Sequence, residues 1–249
     1  MEKPRVAFFD FASCEGCQLQ VINLEEDLLK VLQAVDVVTF REAMKEQSDN
    51  YDIAFVEGSI TRRSDEERLN TIRRNAKVLI ALGSCATLGG INCLKNFHEQ
   101  EYVKKLVYGD KASSYETYPS RPLKAVVPVD FEIHGCPINR DEFAMVLKAL
   151  LLGKKPEIPN FPVCVECKNG RKHMRFREGD DLYGSCLPGQ AAGHAVSQKG
   201  AFAGDAGGLV DDPNANSQRE VLATHGLSVQ DILGKFRLYT GFSEWQNER

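Results

Sequence analysis

The chain has 249 residues, 43% of them hydrophobic, which suits one sizeable α/β core with a smaller appendage and is too little for three independent domains. Its 31 Lys and Arg against 35 Asp and Glu give a net charge of −4, which argues against nucleic acid as a partner, because no basic excess is available to neutralise phosphates. No stretch approaches the roughly 20 uninterrupted apolar residues of a membrane span, and the opening MEKPRVAFFDF carries neither an apolar signal core nor a twin arginine, so a cytoplasmic location is expected.

Short runs rich in Val, Ile and Phe at residues 5–11, 35–40, 53–57, 78–82 and 125–130 read as buried parallel strands. Helical spacing fills the intervals. Leu19, Ile22, Leu28, Leu29 and Leu32 share one face, and the charged stretch 65–76 turns Leu69 and Ile72 inward. Residues 139–152 open with Asn139 and Glu142 spaced as a capping box, then present Phe143, Val146, Leu147, Leu150 and Leu151 at helical intervals. This alternation predicts a flavodoxin-like, doubly wound parallel sheet over residues 1–153.

The proline-rich KKPEIPNFP then marks a boundary. Residues 154–249 are expected to form a small irregular C-terminal region, since stretches such as 204–216 (GDAGGLVDDPNAN) are too polar to bury a core of their own. The chain regains a helical pattern near its end, with Ser228 as an expected N-cap.

Eight cysteines in a reducing compartment are better explained by metal or redox chemistry than by disulfides. Four follow predicted strands: Cys14 and Cys17 the first, Cys85 the fourth, Cys136 the fifth. Ligands of open parallel sheets bind beyond the carboxyl ends of the strands, so these four thiols are expected to converge there and to bind one iron–sulfur cluster, of 4Fe–4S type. Gly16, Gly83 and Gly135 beside them permit close backbone approach to such a group. Taken alone, Cys14 and Cys17 also fit a redox dithiol or half of a zinc site, and isolated Cys85 or Cys136 fit inert core residues. Cys93 has no motif partner and reads as structural, while His134 fits either a contact to the cluster or partner, or a satisfied buried side chain.

With these residues in view, FxxCxGC, GSCAxxGG and GCP in that order resemble the small subunit of nickel–iron hydrogenases. They are more distantly similar to the cluster-bearing subunit of respiratory complex I, where the first two cysteines are usually adjacent. The resemblance implies that Cys14, Cys17, Cys85 and Cys136 hold the proximal 4Fe–4S cluster. It also implies that the nickel–iron centre belongs to a separate large subunit. Together with PVCVECK (162–168), it points to cytoplasmic, multimeric hydrogenases whose iron–sulfur and flavin subunits couple to NAD(P), F420 or another soluble carrier. The function so implied is electron relay between the large subunit and those partners. An electron-transfer subunit of a complex I-like assembly, or a non-enzymatic H2 sensor, are the other classes the motifs admit. Glu57, in VEGSI, resembles a family position near the subunit interface, which suggests proton movement or loop positioning; a strand-end carboxylate capping backbone N–H groups is the simpler reading.

Cys164, Cys167 and Cys186 form a second constellation. Similar subunits carry two further clusters here with eight ligands, which this chain lacks. One further cluster is therefore the most that fits, with His173 as the expected fourth ligand and His194 as its competitor; the other reading leaves both histidines solvated and the three cysteines holding zinc, or nothing.

Overall fold

The computed structural model describes residues 3–156 together with residues 223, 224, 226–231, 234, 237, 242 and 246. Five strands, β1 (Arg5–Asp10), β2 (Asp36–Phe40), β3 (Ile53–Glu57), β4 (Val78–Leu82) and β5 (Phe131–Ile133), form one sheet in the order β2-β1-β3-β4-β5. Every pairing is parallel. This is the flavodoxin-like strand order, with its reversal between β1 and β3.

The two faces of the sheet hold two separate cores. On one, Phe8, Phe55 and Phe143 pack with ring centroids 5.1 to 6.2 Å apart, joined by Val21 and Leu24. Helices α1 (Gly16–Ile22), α2 (Glu26–Ala34) and α6 (Arg140–Leu151) belong to this side. On the other, Phe9, Val56, Leu69, Ile72 and Leu79 pack beneath α3 (Arg63–Asn75). The Asn139 side chain caps α6, accepting from the N–H groups of Asp141 at 2.8 Å and Glu142 at 3.1 Å, which anchors the helix directly after Cys136. Ser228 caps similarly: its hydroxyl accepts from the Asp231 N–H at 3.2 Å, and its own N–H donates to the Asp231 carboxylate at 3.2 Å.

Two local expectations are corrected. The run 125–130 is not a strand: a 3-10 turn, Leu123–Ala125, occupies its start and pairing begins only at Phe131, opposite Ile80. Pro128 lacks a ladder donor, and the Asp130 carboxylate accepts the Leu79 N–H at 2.8 Å, closing the approach to the strand. Leu123 and Val127 are nonetheless buried, so the apolar signal was real but the conformation was not extended. The stretch 19–32 is two helices rather than one face, broken at Glu25 (φ 56°). The break leaves Leu19, Leu29 and Leu32 exposed, while Ile22 and Leu28 reach the core.

The segment between β4 and β5 holds elements beyond those expected. These are α4 (Gly83–Leu88), a 3-10 stretch Ile91–Phe97, α5 (Gln100–Tyr108) and a further 3-10 turn Gly109–Ser114. Among the described residues no helix is long and apolar enough to cross a membrane.

Candidate metal centre

Strand register builds the site. Asp10, Glu57 and Leu82 lie side by side as the last residues of β1, β3 and β4, and Ile133 ends β5 beside Leu82. All four predicted cysteines leave the sheet from this row. Cys14 and Cys17 follow β1, whereas Cys85 and Cys136 are each the third residue past their strand.

The three loops are tied to one another. The N–H and hydroxyl of Ser84 both donate to the Gly135 carbonyl, at 2.8 and 3.0 Å, joining the Cys85 and Cys136 turns. Ala12 and Ser59 exchange backbone hydrogen bonds at 3.0 and 3.2 Å. The Asn92 amide reinforces them by donating to the Ala12 carbonyl at 2.8 Å and to the Ser59 hydroxyl at 2.9 Å.

Cys17 is buried in the first turn of α1, Cys85 and Cys136 are half-buried, and Cys14 is exposed. Glycine makes this packing possible. Gly83 sits at φ +82°, and a Cβ there would lie 2.2 Å from the Cys17 sulfur. A Cβ on Gly16 would approach the Cys14 sulfur to 3.3 Å and Pro137 to 3.7 Å, and Gly135, at φ +133°, closes the turn against Ile138.

The thiols feel one another. Burial, then the charge of Glu57, hold Cys17 far above the usual thiol range, with Cys85 and Cys136 adding to the effect. Burial, then Cys136, Glu57 and Cys14, push Cys85 up to about 12. These thiols therefore keep their protons in the ligand-free chain, and metal binding must release them.

Glu57, 2% exposed, lies beneath the first turn of α1. Its carboxylate accepts the Cys17 N–H at 3.2 Å and the Gln18 N–H at 3.0 Å. Burial raises its pKa, and the Gln18 and Cys17 N–H groups offset part of that rise. The geometry is that of a strand-end carboxylate capping backbone N–H groups.

His134 stands between the loops, with Nδ1 3.0 Å from the Thr87 hydroxyl and Nε2 3.9 Å from Glu132. Cys93 is fully buried and donates to the Ser120 carbonyl at 3.5 Å; burial first pushes its thiol up to about 11. Cys164, Cys167, His173, Cys186 and His194 lie outside the described residues.

Three contributors escaped the sequence reading: Ser84, Asn92 and Gln18. Ser84 lies inside GSC, so its place in the motif was the available signal, whereas nothing in the spacing distinguishes Asn92. Gln18 is 1% exposed, and it supports Glu57 by donating its backbone N–H to the carboxylate at 3.0 Å. Among the described residues no three His, Cys, Asp or Glu side chains close in as the ligands of a lone metal ion do. Glycine leaves room beside the thiols, at Gly83 against Cys17 and at Gly16 against Cys14, as a bulky sulfur-bound group there would require.

The parallel sheet, the cysteine edge and the match of residues 14–150 define the class: the chain belongs to the family described as NADH ubiquinone oxidoreductase, 20 Kd subunit. Within it, the chain is similar to the sulfhydrogenase 2 subunit delta of Pyrococcus furiosus, 33% identical over 165 residues covering 66% of this chain and 69% of that one. It is also similar to a subunit of the F420-non-reducing hydrogenase vhu of Methanococcus voltae, 32% identical and covering 70% of this chain and 65% of the relative. The chain thus spans about two thirds of these relatives' length. Among solved structures, a chain of an NAD+-reducing nickel–iron hydrogenase in the H2-reduced state superposes with a TM-score of 0.57 at 26% identity, covering 64% of this chain and 96% of that one.

Proposed function

We propose that this chain is the electron-transfer small subunit of a multisubunit nickel–iron hydrogenase, with the H2-activating centre on a separate large subunit. The observation that carries the reading is the convergence of Cys14, Cys17, Cys85 and Cys136 on one edge of the sheet, in a chain whose relatives are named as hydrogenase subunits. A 4Fe–4S cluster held there supplies one-electron transfer.

The chain's own residues prepare the place. Cys17 presents sulfur from a water-poor interior, which insulates the site, whereas exposed Cys14 opens it on the side where an electron partner can approach. Glu57 fixes the Cys17 turn through two backbone N–H groups. The Gly135 carbonyl, held by Ser84, fixes the Cys136 turn. Bond-making chemistry on H2 is left to the partner, in line with the division of labour between protein scaffold and cofactor.

In this proposal Cys164, Cys167 and Cys186, with His173 or else His194, hold one further cluster. Iron–sulfur and flavin subunits then carry electrons on to NAD(P) or another soluble carrier in the cytoplasm. Anaerobic purification of the complex tests the proposal. Iron and sulfide analysis of this subunit should give roughly four irons for the first site alone, or about six to eight with the second. The complex should reduce viologen with H2. A preparation with its large subunit and clusters intact but no H2 reactivity would overturn the reading. Co-purifying membrane subunits without H2 turnover would favour the complex I-like alternative.

A further inference from the structure

Arg41 is the first residue past β2, and the pairing of Phe40 with Phe8 brings it beside the end of β1. Each of its three guanidinium nitrogens faces a different carboxylate. Nη1 lies 3.2 Å from Asp10, the last residue of β1, Nη2 donates to Glu15 at 2.7 Å, and Nε lies 3.8 Å from Glu42. Among the described residues these three carboxylates have no other ion pair.

Glu15 is the link to the cysteine site, because it lies between Cys14 and Cys17 in the chain. Its backbone is unusual for its type. The φ of 62° is left-handed, a conformation that glycine takes freely and other residues take at a cost. Its carbonyl accepts the Leu19 N–H at 3.0 Å as α1 begins, but its side chain caps no N–H of that helix. The carboxylate is turned to Arg41 instead. What a glutamate adds over glycine at this position is therefore the tie to Arg41.

Charge makes the tie matter. Four thiolates outweigh the positive charge of an iron–sulfur core, and reduction adds one more electron, so charges nearby shift the reduction potential. Three carboxylates against one guanidinium leave this rim of the cysteine loop negative on balance. Without Arg41 none of the three would be offset. Its side chain is 56% exposed, and with Asp10 and Lys95 it lines a cavity of about 430 Å3, so water and salt screen its field.

We propose that Arg41 is a positioning residue for the iron–sulfur site: anchored to β1 through Asp10, it holds the Cys14–Cys17 turn through Glu15, and its charge eases one-electron reduction of the cluster those cysteines bind. The proposal rests on the cluster reading above.

The test is a redox titration of the full chain with its reconstituted cluster, followed by electron paramagnetic resonance, with dithionite as the electron donor. Low salt and about pH 8 keep carboxylates ionised and charges least screened. Arg41→Gln should lower the ratio of reduced to oxidised cluster at a given potential roughly three- to tenfold, a midpoint lower by about 30–60 mV at 59 mV per tenfold for one electron. Arg41→Lys keeps the charge and should stay within about twofold, yet an ammonium cannot span Asp10 and Glu15 as the fork does, so iron should pass to a chelator faster than from the parent. Adding Glu15→Gln to Arg41→Gln removes one stranded charge and should recover most of the lost ratio. Glu15→Gln alone should raise the midpoint. Arg74→Gln makes the same charge change about 20 Å along α3, at the end away from the cysteine edge, and should leave the midpoint in place. The Arg41→Gln shift should shrink as salt is raised.

A parent-like midpoint for Arg41→Gln, with iron intact, would overturn the proposal. So would an equal shift in Arg74→Gln, or a loss that Glu15→Gln fails to reverse, since that marks damage to the turn and not charge. If Arg41→Gln takes up no cluster, Glu15→Gln alone decides, and a midpoint no higher than the parent's refutes the assignment. A parent chain that binds no iron–sulfur cluster would instead sink the cluster reading, and would be seen before any variant was made.

Discussion

Gly83→Ala separates backbone strain from crowding at the cysteine site. Gly83 has φ +82°, and the added methyl would sit 2.2 Å from the Cys17 sulfur, in a place where that sulfur is buried and cannot swing into solvent. The left-handed backbone alone costs about 1–2 kcal/mol for a non-glycine residue. Displacing a buried atom from a packed site adds about 1–3 kcal/mol. Gly153→Ala supplies the control, since it shares a positive φ of 66° but has nothing within 4 Å of the added carbon. Urea unfolding of the iron-free, reduced chain should therefore show Gly83→Ala less stable than Gly153→Ala by about 1–3 kcal/mol. In a Cys17→Ala background that excess should vanish, because the sulfur it collides with is gone. Reconstituted Gly83→Ala should also hold less iron than Gly153→Ala. Equal stability and equal iron in the two glycine variants would refute the claim that Gly83 exists to admit the Cys17 sulfur.

Asp52 offers a pH test. Its carboxylate is lowered chiefly by the Lys77 ammonium at 2.8 Å and then by the Arg5 N–H at 2.8 Å, so its contribution is present above the ordinary value of 3.8 and lost as pH falls through the lower folded value. Asp52→Asn should cost about 1 kcal/mol at pH 7, discounting the exposed lysine, and the gap to the parent should close in urea titrations as pH falls through the lowered folded value. Asn139→Ala removes the α6 cap and should cost about 1 kcal/mol in the same assay; no loss would mean that the cap is idle. Cys93→Ala should lower stability by roughly 1–2 kcal/mol while leaving the iron count of the reconstituted chain unchanged. Loss of iron there would make Cys93 a ligand rather than a packed thiol.

The sheet was legible because its strands are buried on both faces and so read as short continuous apolar runs. Four of the five predicted strands lie within a residue of the observed bounds. The fifth misled because burial and extension separate there: Val127 is buried from an irregular segment, and Pro128 denies it a place in the ladder. The leucines of 19–32 misled for a different reason. Helical spacing describes a face only while the helix is continuous, and the positive φ at Glu25 resets the phase, leaving Leu29 and Leu32 outside. Within residues 91–115 the stripe Tyr102, Val103, Leu106 and Val107 has helical spacing, yet α5 turns Tyr102, Leu106 and Val107 to solvent and Lys104 inward, so its period does not mark the core.

The cysteine edge was legible for a topological reason that did not extend to its supports. Parallel strands of similar length end together, so residues just past them meet whatever their separation in sequence, and register alone aligns Asp10, Glu57, Leu82 and Ile133. Glu57, the last residue of its strand, shares that logic. Asn92 does not: it reaches Ala12 and Ser59 from a 3-10 stretch whose path depends on Gly89 (φ +89°) and Gly90 (φ +59°) turning the chain back after α4. That turn also delivers Lys95 to its cavity. One short segment therefore buttresses the Cys14 loop with an amide and presents the half-buried Lys95 beside it. The Cys14 loop is thus held from outside the sheet, by an amide whose place depends on the two glycine turns that follow α4.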